Sequence, residues 1–182
     1  LKTLKTLNAH FSKYPYLFGG KPSIGDFGMI APLYGHLGRD PVPLSLMQIN
    51  APRLFRWVER MNRLEPDIGE FENRSTTYLD NDEIPETLID ILTHFAIDFI
   101  PESLAAYECV SSWLQENKDL PSGTEVSREV GKCKFQVDGV TIDAVAQPFR
   151  FYLMKRLQNQ FDSLNAKDQE EVRQLLEQCN MD

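Results

Sequence analysis

Cysteine and histidine are scarce in this chain, and their placement excludes several kinds of chemistry. There are three residues of each type among 182. No CxxC, HxxxH or HExxH spacing occurs, and no Ser-His-Asp or Cys-His arrangement emerges from the order of the residues. We therefore expect no catalytic residue, no metal ligand and no disulfide framework in this chain. The thiols are interpreted as reduced thiols of a cytoplasmic protein: Cys109, Cys133 and Cys179.

Long apolar runs and an excess of basic residues are also absent. The longest apolar stretches are broken by Asp, Glu or Pro well before the roughly 20 residues that a membrane-spanning helix needs. The opening residues LKTLKTLNAHF lack the apolar core and the cleavage site of a signal peptide. Nineteen basic against 27 acidic residues give a formal charge of −8, which argues against a general nucleic-acid binder. The expected partners therefore include neither nucleic acid nor membrane.

The chain does contain helical periodicity along most of its length. Apolar residues recur at three- and four-residue steps in these segments: 1–11, 24–37, 54–64, 83–117, 148–164 and the residues after Asn165. Pro101 is expected to divide or kink the longest of them. In KCKFQVDGVTIDAV the period changes to two around Asp138-Gly139, the strongest short signal for a β-hairpin. The sequence predicts a mostly α fold of about seven helices with one small β-hairpin near the C-terminus.

Capping residues mark several helix starts. Ser23 can accept a hydrogen bond from the amide of Asp26, while the Asp26 carboxylate accepts one from the amide of Ser23. We interpret this pair as a structural N-cap worth about 0.5–2 kcal/mol rather than as a polar ligand site. The helix that follows has so wide an apolar stripe that we expect it to be deeply buried, with a bend at Pro32. Asn50 is predicted to cap another helix, with Pro52 in its first turn.

The aromatic residues around the capped helix are the candidates for a binding site. Tyr14, Phe27 and Tyr34 are candidate walls of an apolar small-molecule pocket, and packing in the core is the other explanation for such residues. Gly19-Gly20-Lys21 is interpreted as a turn, because the GxxxxGK[ST] pattern and the strand of a phosphate-binding loop are lacking. Four arginines on one helical face predict either a site for an anionic ligand or acidic partner, or a solvated face with local ion pairs: Arg53, Arg56, Arg60 and Arg63.

The stretch YPYLFGGKPSIGDFGMIAPLYGHLGRD, residues 14–40, resembles the C-terminal domain of cytosolic glutathione S-transferases. In that family a helix ends in a similar aromatic and glycine-rich turn, and a Ser-x-x-Asp cap opens the central buried helix. NAPRLFRWVERM, residues 50–61, is similar to the family's next helix. Gly25 stands where the family often has Ala. The resemblance covers residues 1–64.

The resemblance implies a glutathione S-transferase C-terminal-like helical bundle, which we place at residues 1–118. Residues 119–182 are expected to be an extension, a β-hairpin and two helices packed on the bundle. In the family, an N-terminal thioredoxin-like domain binds the co-substrate glutathione and activates its thiol, and no counterpart of that domain is found here. This chain alone is therefore expected to be inactive and to hold no cofactor. The implied partners are the thioredoxin-like domain and a second copy in a homodimer.

Two functions remain open from the sequence. In the first, the chain contributes the hydrophobic substrate pocket and the dimer surface of a glutathione transferase, with Tyr14, Phe27 and Tyr34 as pocket residues. In the second, it is a non-catalytic helical module that uses the same scaffold for protein–protein association.

Overall fold

The computed structural model describes residues 1–181 and shows a mostly α-helical protein. Within these residues there are seven α-helices: α1 (Lys2–Phe11), α2 (Ile24–Pro32), α3 (Pro41–Asn50), α4 (Pro52–Met61), α5 (Glu86–Glu116), α6 (Pro148–Asp162) and α7 (Ala166–Gln178). A π-helical turn, Leu33–Leu37, directly follows α2. An antiparallel hairpin of β1 (Lys132–Val137) and β2 (Val140–Val145) precedes α6. The predicted fold class, helical with one small hairpin near the C-terminus, is confirmed.

The chain packs as two compact units, one from Leu1 to His94 and the other from Phe95 onward. The boundary falls inside α5, which continues through Pro101 as one helix. Of the two expected effects of Pro101, division of the helix is therefore wrong, and a kink stays a prediction. Proline removes one backbone hydrogen bond from the helix, and Ala96 and Ala106 are buried on either side of it. The boundary expected at residue 118 between an inherited domain and an extension stays a prediction.

The core of the first unit forms where α1 packs against α4. Phe11 and Trp57 are fully buried, and their rings stack with centroids 4.7 Å apart. Leu54 lies one turn before Trp57, and Val58 lies one turn after Leu54, so the inner face of α4 follows the helical period. Leu7, one turn before Phe11, completes this part of the core.

The first turn of α4 is capped from another helix. Asn50, predicted as its cap, is instead the last residue of α3, and its side chain donates to the carbonyl of Leu46 at 2.9 Å. Asn8 of α1 supplies the cap, because its Oδ1 accepts from the amides of Arg53 at 2.8 Å and Leu54 at 3.4 Å. The prediction was wrong because the capping oxygen comes from a residue distant in sequence. Proline at the first helical position is nonetheless present, as expected.

The hairpin of the second unit follows the predicted turn. Asp138 and Gly139 have φ values of 50° and 78°, which a tight two-residue turn between right-twisted strands requires. The register pairs Cys133 with Ala144, and the side chain of Cys133 is buried in an apolar cluster. The other buried members of this cluster are Ala106, Val110 and Ala146.

Candidate functional site

Ser23 and Asp26 form a reciprocal cap at the start of α2. The amide of Ser23 donates to Asp26 Oδ2 at 2.8 Å, and the amide of Asp26 donates to Ser23 Oγ at 3.4 Å. The Ser23 hydroxyl also donates to Asp26 Oδ2 at 2.7 Å. Because Asp26 is fully buried, its carboxylate oxygens need hydrogen-bond donors from the protein, and the cap supplies only some of them.

Two further donors reach the Asp26 carboxylate from other parts of the first unit. The amide of Leu17 lies 3.2 Å from Oδ1, and the indole Nε1 of Trp57 donates to the same oxygen at 3.0 Å. The carboxylate therefore joins the turn before α2, the first turn of α2 and the middle of α4. The sequence pattern indicated the cap but not Trp57. A buried carboxylate can accept more hydrogen bonds than one cap supplies, so a further donor was to be expected, but the sequence did not show which residue provides it.

The outer face of α2, which we define as Ile24, Phe27, Gly28 and Ala31, is exposed. Ile24 is 91% exposed and Phe27 61% exposed, while Asp26 is the buried residue of this helix. The expectation that α2 is deeply buried is therefore wrong. Its inner side packs against α4 and Leu17, whereas a Cβ built on Gly28 would meet no described atom within 4 Å. Helix α2 has apolar residues on both faces, but only its inner face packs against the rest of the first unit.

The three aromatic pocket candidates occupy different surroundings. Tyr14 lines a cleft of about 260 Å³ together with Gly19, Gly20 and residues of the segment 73–80, and the guanidinium of Arg74 lies 4.7 Å from its ring centroid. Phe27 and Tyr34 do not line that cleft. Phe27 lies on the outer face of α2.

Tyr34 is half-buried, and the side chain of Arg39 contacts both its hydroxyl and its ring. Its hydroxyl accepts a hydrogen bond from Arg39, whose guanidinium lies 4.3 Å from the ring centroid. The role of Tyr14, Phe27 and Tyr34 in one substrate pocket stays a prediction, and Phe27 is the one whose ring is open on an uncharged helix face.

Gly19 and Gly20 allow a second segment to approach the turn before α2. The amide of Gly20 donates to the carbonyl of Thr77 at 2.8 Å. A Cβ on Gly20 would lie 2.0 Å from the carbonyl oxygen of Ser75, and Gly19 has a φ of +108°. Gly20 is therefore explained by close backbone contact and Gly19 by its left-handed conformation. Both agree with the interpretation of this stretch as a turn.

Three of the four arginines predicted on one face form ion pairs. Arg53 and Arg56 both pair with Glu70, the second at 2.6 Å, and Arg63 pairs with Asp67. Burial opposes the charge of Glu70, but the hydrogen bonds from Arg56 and Arg53 outweigh it and lower the pKa of this carboxyl. Local ion pairs, one of the two alternatives, are thus what the structure shows for these residues.

Arg60 differs from its neighbours because it is buried. Its Nη2 donates to the carbonyl of Pro15 at 2.9 Å, and its guanidinium lies 5.8 Å and 5.4 Å from the ring centroids of Tyr16 and Phe71. Burial lowers the pKa of Arg60, and the nearby charge of Glu70 opposes that effect. Arg60 thus holds the loop after α4 against the aromatic turn before α2.

His10 is a buried polar link that the sequence did not reveal. Its Nε2 lies 3.2 Å from the carbonyl of Tyr16 and its Nδ1 lies 2.9 Å from the hydroxyl of Thr87. Because a carbonyl only accepts, the assigned tautomer has the proton on Nε2 and accepts from Thr87 through Nδ1. Burial lowers the pKa of His10 to about 4, so the ring is neutral at pH 7. It serves to join α1 to the start of α5.

Within residues 1–181, no three His, Cys, Asp or Glu side chains lie close enough together to hold a metal ion. Over the same part of the chain, no helix combines the length and the apolar character needed to cross a membrane.

The capped, outward-facing α2 and the amphipathic α4 are consistent with a helical domain like the C-terminal domain of glutathione S-transferases. Residues 1–60, which span α1 to α4, match the family model described as glutathione S-transferase, C-terminal domain. The resemblance seen in residues 14–40 is confirmed, because the matched part of the chain includes them. Neither a comparison with curated proteins nor one with solved structures gives a match.

Proposed function

We propose that this chain is the substrate-pocket half of a glutathione transferase-like protein of the cytoplasm. A thioredoxin-like domain binds glutathione and activates its thiol, and the helical domain lines the space in which an apolar electrophile meets the thiolate. The thiolate sulfur forms a bond to the electrophilic carbon, and the leaving group departs with the bonding electron pair. The function of the helical domain is to hold the electrophile in place.

The main support is the outer face of α2. Ile24 and Phe27 expose large apolar side chains, and the four residues of this face include no charge. On the opposite side of the same helix, Asp26 is held by donors from three segments, so the helix has a fixed orientation. An apolar surface on a fixed element is what a small-molecule pocket requires.

Cys133 and Tyr16 are poorly suited to activating glutathione. Burial raises the pKa of the Cys133 thiol, which keeps it protonated at neutral pH. Burial also raises the pKa of Tyr16, whose hydroxyl donates to the carbonyl of Asp67 at 2.9 Å. In the proposed reaction, activation of the thiol is the role of the thioredoxin-like domain.

Steady-state kinetics of the natural polypeptide that contains this chain test the proposal. With glutathione and 1-chloro-2,4-dinitrobenzene, Phe27→Ala should raise the KM for the electrophile about fivefold through lost apolar contact, with the KM for glutathione unchanged. Phe149→Ala is the matched control, because Phe149 is 65% exposed and lies in the second unit. A polypeptide without turnover, or one in which both variants behave alike, contradicts the proposal.

A second candidate function is protein–protein association without catalysis, favoured by the surface of α3. This helix has no charged residue, and it exposes Val42, Leu46 and Ile49 at successive turns, with Ile49 75% exposed. Uncharged apolar helix faces are typical of lasting interfaces, including those of homodimers. Sedimentation of the wild type and of Ile49→Asp separates the two functions. If the wild type is a dimer, Ile49→Asp is a monomer and the polypeptide shows no turnover, the result supports association without catalysis.

A further inference from the structure

The geometry points to a ligand site in the second unit that takes an amphipathic organic cation, a molecule with an apolar body and an ammonium group. The site is a cleft of about 520 Å³, within the range of roughly 300–1,000 Å³ that is usual for small-molecule pockets. We call it the α5 cleft and define it by its lining residues: Phe95, Asp98, Phe99, Glu102, Arg150 and Met181. All of them belong to the second unit, so the site is independent of the function proposed above.

Three elements of the chain build the α5 cleft. Its α5 residues stand at positions i, i+3, i+4 and i+7, which places them on one face of the helix. Arg150, in the first turn of α6, pairs with Glu102 at 2.9 Å and thereby joins α6 to α5. Met181 follows α7, and its amide donates to the carbonyl of Leu176 at 2.9 Å. The cleft therefore has walls held by backbone and side-chain bonds.

The walls are mostly apolar, and Phe99 is the apolar wall residue most exposed to a ligand. Phe99 is 42% exposed, and Phe95 and Met181 are half-buried. Two aromatic rings and a thioether accept an alkyl or aryl body, and a flexible methionine adapts to its shape. Aromatic faces also attract ammonium groups, most strongly when the cation is only weakly hydrated.

The charges at the edge of the α5 cleft favour a cation. Glu102 and Arg150 neutralise each other, with both side chains 33% exposed. Asp98, one turn before Glu102, is exposed and forms no ion pair with any residue from 1 to 181. The three groups together leave one negative charge beside the aromatic walls. A ligand with a carboxylate would meet this charge, whereas an ammonium group would be attracted to it.

The test is an NMR titration of the full chain with methyl-labelled methionine. The chain has five methionines, and Met181→Leu assigns the resonance of the methyl group in the cleft. Hexyltrimethylammonium should shift the Met181 methyl resonance saturably, and hexanoate, the anion of matched length, should shift it far less. The absence of a saturable shift at millimolar ligand, or equal shifts with both probes, would overturn the assignment.

Variants then separate the apolar wall from the charge. Asp98→Asn should weaken binding of hexyltrimethylammonium about threefold, since one partly screened charge is lost. Glu108→Gln is the matched control, an exposed acid of α5 outside the cleft, and should leave the affinity unchanged. Phe99→Ala should weaken binding more than Asp98→Asn does. Equal effects of Asp98→Asn and Glu108→Gln would show that the ligand senses only the net charge of the chain, which contradicts the proposal.

Discussion

The carboxylate of Asp26 accepts a hydrogen bond from the indole nitrogen of Trp57 at 3.0 Å, which joins the cap of α2 to the core of α4. Trp57 is fully buried and stacks on Phe11, so the carboxylate is connected through one side chain to α1 as well. The orientation of the outer face of α2 therefore depends on a polar group in the core.

Asp26→Ala should lower the free energy of unfolding by about 3 kcal/mol. A helix cap alone accounts for about 1–2 kcal/mol, and the buried donor of Trp57 left without an acceptor adds about 1–3 kcal/mol. Ser23→Ala, which removes only the hydroxyl, should cost about 1 kcal/mol. Urea unfolding followed by tryptophan fluorescence measures both variants. Equal losses for the two would show that the contact with Trp57 does not stabilise the fold.

Asn8→Ala should cost about 1 kcal/mol, because it removes the oxygen that accepts from the first amides of α4. Asn50→Ala is the matched control at the position where the sequence pattern predicted the cap. Its side chain donates to one carbonyl within its own exposed helix end, so the loss should stay below about 0.5 kcal/mol. Thermal unfolding of the two variants decides between them. A larger loss of stability for Asn50→Ala than for Asn8→Ala would show that Asn50, and not Asn8, caps α4.

Gly20→Ala should destabilise the first unit by about 2–3 kcal/mol. The new Cβ would lie 2.0 Å from the Ser75 carbonyl oxygen, so the segment that crosses the turn must move away. Gly28→Ala, on the outer face of α2, has open space around its Cβ and should stabilise the helix by about 0.5–1 kcal/mol. Melting temperatures that move in opposite directions are the expected result. A lower melting temperature for both would mean that the outer face of α2 is covered.

Stability should rise with pH between about 4 and 6.5 because of His10. Its pKa is about 4 in the folded chain and 6.5 in the unfolded chain, so the unfolded state binds more protons in this interval. The stabilisation is complete above 6.5 and is lost as the pH falls towards 4, a total of about 3 kcal/mol.

Urea unfolding at several pH values measures the contribution of His10. His10→Gln should remove the contribution of His10 to the rise of stability with pH, and His36→Gln, at an exposed position, is the matched control. An unchanged slope in His10→Gln would show that the histidine is not neutral and buried in solution.

Local signals in the sequence predicted the helices and the hairpin, whereas contacts between distant residues determine how these elements are capped and which faces are buried. The Asp138-Gly139 turn and the Ser23–Asp26 cap depend on residues within a few positions, so both were predictable. The contacts of Asn8 with Arg53 and of Asp26 with Trp57 join residues far apart in the chain, and no local pattern encodes them. The exposure of Phe27 was missed for a related reason. An apolar stripe indicates that a surface is covered, but not whether the chain itself covers it.

Equilibrium binding of S-(2,4-dinitrophenyl)glutathione to the natural polypeptide tests the central claim, that the outer face of α2 is a wall of the electrophile pocket. This product joins both ligands in one molecule, so its dinitrophenyl ring should contact Phe27. Phe27→Ala should weaken binding of this product about fivefold and leave the affinity for glutathione itself unchanged. The control variant Phe149→Ala should bind both ligands as the wild type does. Product binding that Phe27→Ala leaves unaltered would contradict the claim.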